Sequence, residues 1–293
     1  MDSPTISLVC STIGRPGPLA ALLRSVASSD LAERVEFVLV DQSADQQSTA
    51  VLNDYPLQGA KVAATSGRGL SVGRNVGVAL AKGTVLAFPD DNCSYPPHTF
   101  RQVLDMFDRC PDISGLSGMQ VDAAGRPSML RWLGHPTDIT RRNFVRTAIS
   151  STLFLRRSAL PSAAPFDEGV GVGSPGWRGA GEESDLVLRL LAGGHRMAYR
   201  PDIRVCQDDD RAAVSTDYID KMLKYGVGLG HLWRRHRLSR AQLSYHSTRK
   251  LVGSAVRAVR GEHIHARADI AYLRGQLAGY RGVTPSRAPG RRS

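Results

Sequence analysis

The stretch TVLAFPDDNCSYPP, residues 84–97, ends a short apolar run in two carboxylates and an amide, Asp90, Asp91 and Asn92. Thr84 to Phe88 has the β-rich composition of a buried strand, and Pro89 stops its ladder where the acids begin. The three polar side chains therefore belong on a strand-end loop, the edge at which open α/β sheets bind their ligands. Two readings stand for them. They line a ligand site, or they form a turn and cap the helix that starts after Pro97. A second acidic group, Glu182, Glu183 and Asp185 of GEESD, opens a helical pattern, a place where acids are common on general grounds.

The elements that would position these groups alternate. TISLVCST reads as a buried strand, GPLAALLRSVASS as a helix, VEFVLVDQS as a second strand, and AKVAAT, after a polar stretch, as a short third. LSVGRNVGVALAKG follows as a helix stopped by Gly83, and then the strand of residues 84–88. Strands separated by helical patterns imply βαβ units and a mainly parallel, Rossmann-like sheet. Thr12, Asp41 and the pair Asp90 and Asp91 then converge on one sheet edge, as a nucleotide pocket requires. Neither G-x-G-x-x-G nor G-x-x-x-x-G-K-[ST] occurs, which argues against a dinucleotide enzyme or a P-loop NTPase.

Further on, DISGLSGMQVD and AISSTLFLRRSAL are strand-like and flank an exposed loop, AAGRPSMLRWLGHPTD. A glycine-rich stretch from Phe166 becomes a helix at about Glu182, ended by Gly193 and Gly194, and DIRVCQ is the last strand. Helical patterns at about 215–236, 240–259 and 263–280 close the chain before a Pro/Arg tail.

Composition bounds the class. A hydrophobic fraction of 42% and a charged fraction of 22% over 293 residues are those of a globular protein with a sizeable core. No apolar run is long enough to span a bilayer and no positively charged leader precedes Ile6, so a cytoplasmic location is expected. Cys10, Cys93, Cys110 and Cys206 match no metal or redox spacing and read as free thiols. The formal charge of +11 is concentrated from Arg234 onward. That arginine-rich region suits an anionic membrane surface or a phosphate-bearing substrate, with a solvated face as the bland alternative. Without aromatic interleaving, finger or helix-turn-helix, it disfavours nucleic acid. Trp177 is placed to stack a sugar or to pack, and His263 with His265 to touch a metal or to face solvent.

Taken in order, the strand ending in Ser-Thr, then VDQS, GRGLSVGRNVG, FPDDN and GEESDLVLRLL resemble the family 2 glycosyltransferases over roughly residues 5–208. The resemblance implies a GT-A fold: an α/β, mixed and mainly parallel sheet flanked by helices, here with a C-terminal helical appendage. It implies a nucleotide-sugar-binding catalytic domain at 1–210; beyond it the helical patterns give a basic helical extension at 211–282, and the Pro/Arg composition a disordered tail at 283–293. The implied function is inverting transfer of a sugar from a nucleoside-diphosphate sugar to a hydroxyl of a glycan or glycolipid. A catalytically silent nucleotide-sugar-binding scaffold is the alternative.

By the same resemblance, Thr12 and Asp41 contact base and ribose, and Arg74 and Asn75 border the pocket below the sugar-phosphate. Asp90, Asp91 and Asn92 fall on the Asp-x-Asp element that helps hold Mg²⁺ or Mn²⁺ on the diphosphate. Glu183 falls on the general base, with Glu182 and Asp185 as neighbours, and Gln207 on a His that often adds a metal contact. The expected metal-facing set is therefore Asp91, Asn92 and Gln207. Two of its members are neutral amides where the family pattern has an acid and an imidazole. That leaves a weakened cation site, or arginines in the cation's place with Arg15, Arg68, Arg74, Arg178 and Arg204 as candidates, or binding of a nucleotide sugar without turnover.

Overall fold

A computed structural model describes residues 5–207 and 216–285. The chain divides into two compact units, one of residues 1–167 with 183–210 and one of residues 168–182 with 211–293. The first begins β1 (Ile6–Thr12), α1 (Pro16–Ala27), β2 (Val35–Asp41), α2 (Gln47–Asp54), β3 (Lys61–Thr65), α3 (Leu70–Leu80), β4 (Val85–Ala87) and β5 (Cys93–Ser94). It continues with α4 (Thr99–Arg109), β6 (Ile113–Val121), β7 (Thr137–Asp138), β8 (Leu153–Arg156), α5 (Glu182–Ala192) and β9 (Arg196–Gln207).

The strands form one sheet in the order β3-β2-β1-β4-β8-β6-β9-β5, with β7 paired on β9. The first four neighbours are parallel, as are β6 and β9, while β8, β5 and β7 run against their partners. The α/β, mainly parallel reading therefore holds. All seven residues of β2 are buried, as expected for a strand covered on both faces. The core consists of Leu8, Cys10, Phe37 and Leu39 of β1 and β2, Leu19, Leu22 and Leu23 of α1, and Phe100, Val103 and Phe107 of α4.

Helix α3 lies close to β1 because two of its residues have no side chain. A Cβ on Gly73 would fall 2.1 Å from Ser11 Oγ, and one on Gly77 would fall 2.4 Å from Val9 Cγ1. This explains the glycine spacing around GRNVG in terms of packing. The strand expected to begin at Asp202 is longer than predicted: β9 runs through Pro201 without a break, its register against β6 shifting between Ser117 and Met119. A proline is tolerated in a strand where the ladder is irregular.

The second unit holds α6 (Thr216–Arg235), α7 (Arg240–Val259) and α8 (His263–Arg281). Helices α6 and α8 run parallel and interlock through glycines. A Cβ on Gly226 or Gly230 would lie 2.0 Å from the carbonyl oxygen of Tyr272 or Gln276, and one on Gly275 or Gly279 would lie 2.1 Å from that of Leu223 or Val227. Helix α7 is capped by Ser239, which accepts from the Gln242 N–H, and Trp233 donates to the Ser239 carbonyl at 3.2 Å. The glycine-rich segment lies on α6, where Gly179 N donates to Lys224 O and Gly228 leaves room for the Ala180 carbonyl. Trp177 is half-buried there. Most of the tail expected to be disordered, residues 286–293, falls outside the described residues.

Candidate functional site

The parallel register of β1 with β2 sets Thr12 beside Asp41, and the turn after β4 brings Asp90 to Asn92 to the same edge. Two polar groups assemble there. In the first, Asp91, 2% exposed, accepts the Thr12 hydroxyl at 2.5 Å on Oδ2 and Arg15 Nε at 3.1 Å, and Arg15 Nη2 closes on Oδ1. Burial pushes the Asp91 carboxyl above its usual range, although Thr12 and Arg15 both act to lower it.

In the second group, Arg74 Nη2 stands 3.5 Å from Asp90 Oδ1, and Gln207 Nε2 lies 3.4 Å from Asp90 Oδ2 and 2.9 Å from Asn92 Oδ1. The pairing of β5 with β9 sets Gln207 opposite Cys93, whose thiol lies 3.3 Å from the Gln207 carbonyl oxygen. That contact turns the amide N–H toward the acids. Burial raises the Cys10 and Cys93 thiols well above their ordinary value, so neither is a ready thiolate.

The expected metal set does not fit a cation in this arrangement. Both oxygens of Asp91 are taken by Thr12 and Arg15, and Gln207 presents a donor where a ligand oxygen would be needed. Among the described residues no group of three or more His, Cys, Asp or Glu side chains is placed to hold a metal, His263 and His265 included. Asp90, 35% exposed, is the strand-end acid with an open edge.

The other candidates make contacts of their own. Asp41 is 1% exposed and accepts Ser43 N and Oγ on Oδ1 and Thr49 N on Oδ2, so its carboxylate holds the first turn of α2. Asn75 makes a reciprocal pair with the Phe166 backbone, its Nδ2 donating to the carbonyl at 3.0 Å and its Oδ1 accepting the N–H at 2.9 Å. Arg74 stacks over the Phe166 ring at 5.6 Å, and that ring meets Phe88 edge-on at 5.0 Å. On α5, Asp185 is fully buried and accepts Arg189 Nε at 2.8 Å, while Arg189 Nη2 donates to the Pro165 carbonyl. Pro165 and Phe166 are thus tied to α5 on one side and to α3 on the other. Glu182 is buried, and Glu183, half-buried in the first turn of α5, accepts the Ser184 hydroxyl at 3.3 Å.

Sequence reasoning did not single out Phe166 as part of this edge. Its signal was faint, a lone aromatic after Pro165 in a run of small residues. Arg15 stood only among several arginines that could face a phosphate; the structure places it directly on Asp91.

A family model described as Glycosyl transferase family 2 matches residues 7–160, more than half of the chain. No curated protein matches it. Solved structures of similar fold include TarS 1–349 of S. aureus, with a TM-score of 0.60 at 15% identity over 95% of this chain and 92% of that one. The same protein in complex with UDP-GlcNAc gives 0.59 at 14% over the same shares. The mannosyltransferase PcManGT of Pyrobaculum calidifontis, in complex with GDP-Man and Mn²⁺, gives 0.62 at 13% over 94% of this chain and 88% of that one.

Proposed function

Because the chain belongs to glycosyl transferase family 2 and is a glycosyltransferase, we propose that it moves a sugar from a nucleoside-diphosphate sugar to a hydroxyl of a glycan or glycolipid, with inversion at the anomeric carbon. The observation that carries this reading is the meeting of Thr12, Arg15, Arg74, Asp90 and Asp91 at one sheet edge in a chain whose fold neighbours were solved with UDP-GlcNAc and GDP-Man.

In this reading Glu183 accepts the proton of the acceptor hydroxyl as its oxygen attacks the anomeric carbon. The bond from that carbon to the phosphate oxygen breaks, and the electron pair leaves on the diphosphate. The first turn of α5 favours an ionised carboxylate at Glu183 through the helix dipole. Arg15 and Arg74 are the described cations nearest the acids, and guanidinium pairs well with phosphate oxygens. Asp41 and Asn75 serve the pocket from behind, by fixing the β2–α2 turn and the Phe166 backbone. The catalytic unit extends to about residue 210, and the helices beyond it form the part that meets an anionic surface.

The test is Glu183→Gln. Release of nucleoside diphosphate in the presence of acceptor should fall by about 10²-fold or more, as for loss of a general base, with stabilisation by donor nucleotide retained. Loss of nucleotide-induced stabilisation would make Glu183 structural, unchanged turnover would place the base on another residue, and stabilisation by nucleotide with no turnover in the native chain would leave the silent-binder alternative. Melting against a panel of nucleoside diphosphates with EDTA, Mg²⁺ or Mn²⁺ identifies the base and whether a cation takes part, because a ligand of the native state raises the melting temperature by an amount that grows with the logarithm of its concentration over Kd.

A further inference from the structure

The outward side of α8 carries Ile264, Arg267, Ile270, Arg274, Leu277 and Arg281, all exposed. Steps of three and four residues place them on one stripe of the helix, aliphatic and guanidinium side chains in alternation. The opposite side of α8 is filled by Ala266, Gly275, Gln276 and Gly279. Helix α7 adds a second uncovered row, with Val252, Val256 and Val259 exposed by 59%, 44% and 90%.

The charges separate into two kinds. Lys250 and Arg257 of α7 turn inward to the nearly buried Asp269 of α8, and Arg257 also reaches Glu262 at 3.8 Å, so these two cations face two carboxylates. Arg267, Arg274 and Arg281 make no ion pair among the described residues, and residues 240–281 hold eight Lys and Arg against two Asp and Glu. Unneutralised guanidinium groups between exposed aliphatic side chains match a surface that is negative at its face and apolar just beneath. The aliphatic groups enter the boundary of the acyl chains, and the arginines extend along them to the headgroups.

We propose that the outer stripe of α8 docks this protein on a bilayer containing anionic lipid. The proposal deepens the membrane-surface partner offered above by naming the face, and it rests on that reading alone, not on the chemistry of transfer. A second copy of the chain fits the stripe poorly, since Arg267, Arg274 and Arg281 would meet like charges. A nucleic acid would use the arginines and leave Ile264, Ile270 and Leu277 against phosphate.

The experiment is flotation of the full chain with vesicles of phosphatidylcholine alone or mixed with phosphatidylglycerol. Three forms are compared: the native chain, R267Q/R274Q/R281Q and I264S/I270S/L277S. The six positions are exposed, so both variants should melt like the native chain. The native chain is expected to float only with the anionic vesicles. Each arginine near an anionic surface contributes about a fivefold change in partitioning, so the charge variant should lose about a hundredfold; the aliphatic variant should lose binding that high salt does not remove from the native chain.

Native flotation with both variants unchanged overturns the α8 face and leaves a membrane partner elsewhere. No flotation of the native chain overturns the membrane reading itself. Flotation abolished by competing nucleic acid, with the aliphatic variant unaffected, would reassign the stripe to phosphate backbones.

Discussion

Thr12 donates its hydroxyl proton to Asp91 across 2.5 Å, although 79 residues of chain separate them. One hydroxyl thereby joins the ends of β1 and β4 and shares a buried carboxylate with Arg15. Thr12→Val removes the donor and leaves the carboxylate partly unsatisfied, at a cost of about 1.5–3 kcal/mol for a hydrogen bond to a charged group. In an Asp91→Asn background the same change should cost clearly less. Urea unfolding of the four proteins of this cycle measures the difference, and equal costs in both backgrounds would show that the hydroxyl does not act through the charge.

The Asp91 carboxyl titrates above its usual range because it is buried, so the folded state takes up a proton more readily than the unfolded one. Its share of stability is present at low pH and is lost as pH rises through the raised value. Asp30 has the opposite sign: the hydrogen bond from His98, with Arg101, holds it below the usual range, so its share is present above the unfolded value and lost as pH falls through the folded one. Asp30→Asn should therefore flatten the acid limb of a melting-temperature profile against pH. Asp91→Asn should steepen that limb. Profiles that superimpose on the native one would refute both assignments.

Both ends of the Asn75 amide serve the Phe166 backbone. Asn75→Ala leaves a buried N–H and a buried carbonyl without partners and should cost about 2–6 kcal/mol, at ~1–3 kcal/mol for each unsatisfied group. Asn75→Asp keeps only the acceptor and should fall between. Denaturant midpoints at constant slope test this ranking.

Gln207 offers a donor to Asp90 and Asn92, and an imidazole at that position would offer a lone pair instead. Gln207→His is expected to increase the Mn²⁺-dependent part of the stabilisation by nucleoside diphosphate, compared with EDTA, by thermal melting. An identical response to EDTA in the two proteins would place the determinant of cation use elsewhere.

Two glycines in the helical unit should respond in opposite directions to the same methyl group. Gly226→Ala places a Cβ 2.0 Å from the Tyr272 carbonyl oxygen and forces α6 from α8, with a loss of about 1–3 kcal/mol as in other overpacked sites. Gly253→Ala, in the middle of α7 with nothing within 4 Å, should gain about 0.5–1 kcal/mol from helix propensity. Melting temperatures that move in the same direction would contradict this account of the interlock.

The sheet was legible because β1, β2 and β4 are bounded apolar runs and the helices between them have helical spacing. Helix α2 was not. It begins after Gln46 at φ 52° with no side-chain cap of its own, and the carboxylate that holds its first turn comes from Asp41 at the end of β2. A cap supplied from an adjoining strand leaves no local mark, so QSTAVLND reads as a polar stretch. The acids of FPDDN were legible as a group, but not their division: Asp91 turns inward to Thr12 and Arg15, while Asp90 stays at the open edge. Only the fold, which brings residues 12, 15, 74 and 207 to that edge, separates them.

The two glycines that let α3 approach β1 have a bearing on the pocket that no polar side chain reveals. Arg74 follows Gly73 directly, and its depth at the strand end is set by the distance between helix and sheet. That distance is a dimension made of absent atoms. A single methyl at residue 73, against Ser11, would lift the guanidinium from Asp90 without altering any charge, so the Arg74–Asp90 pair can be tuned by volume alone, one residue away from the guanidinium itself.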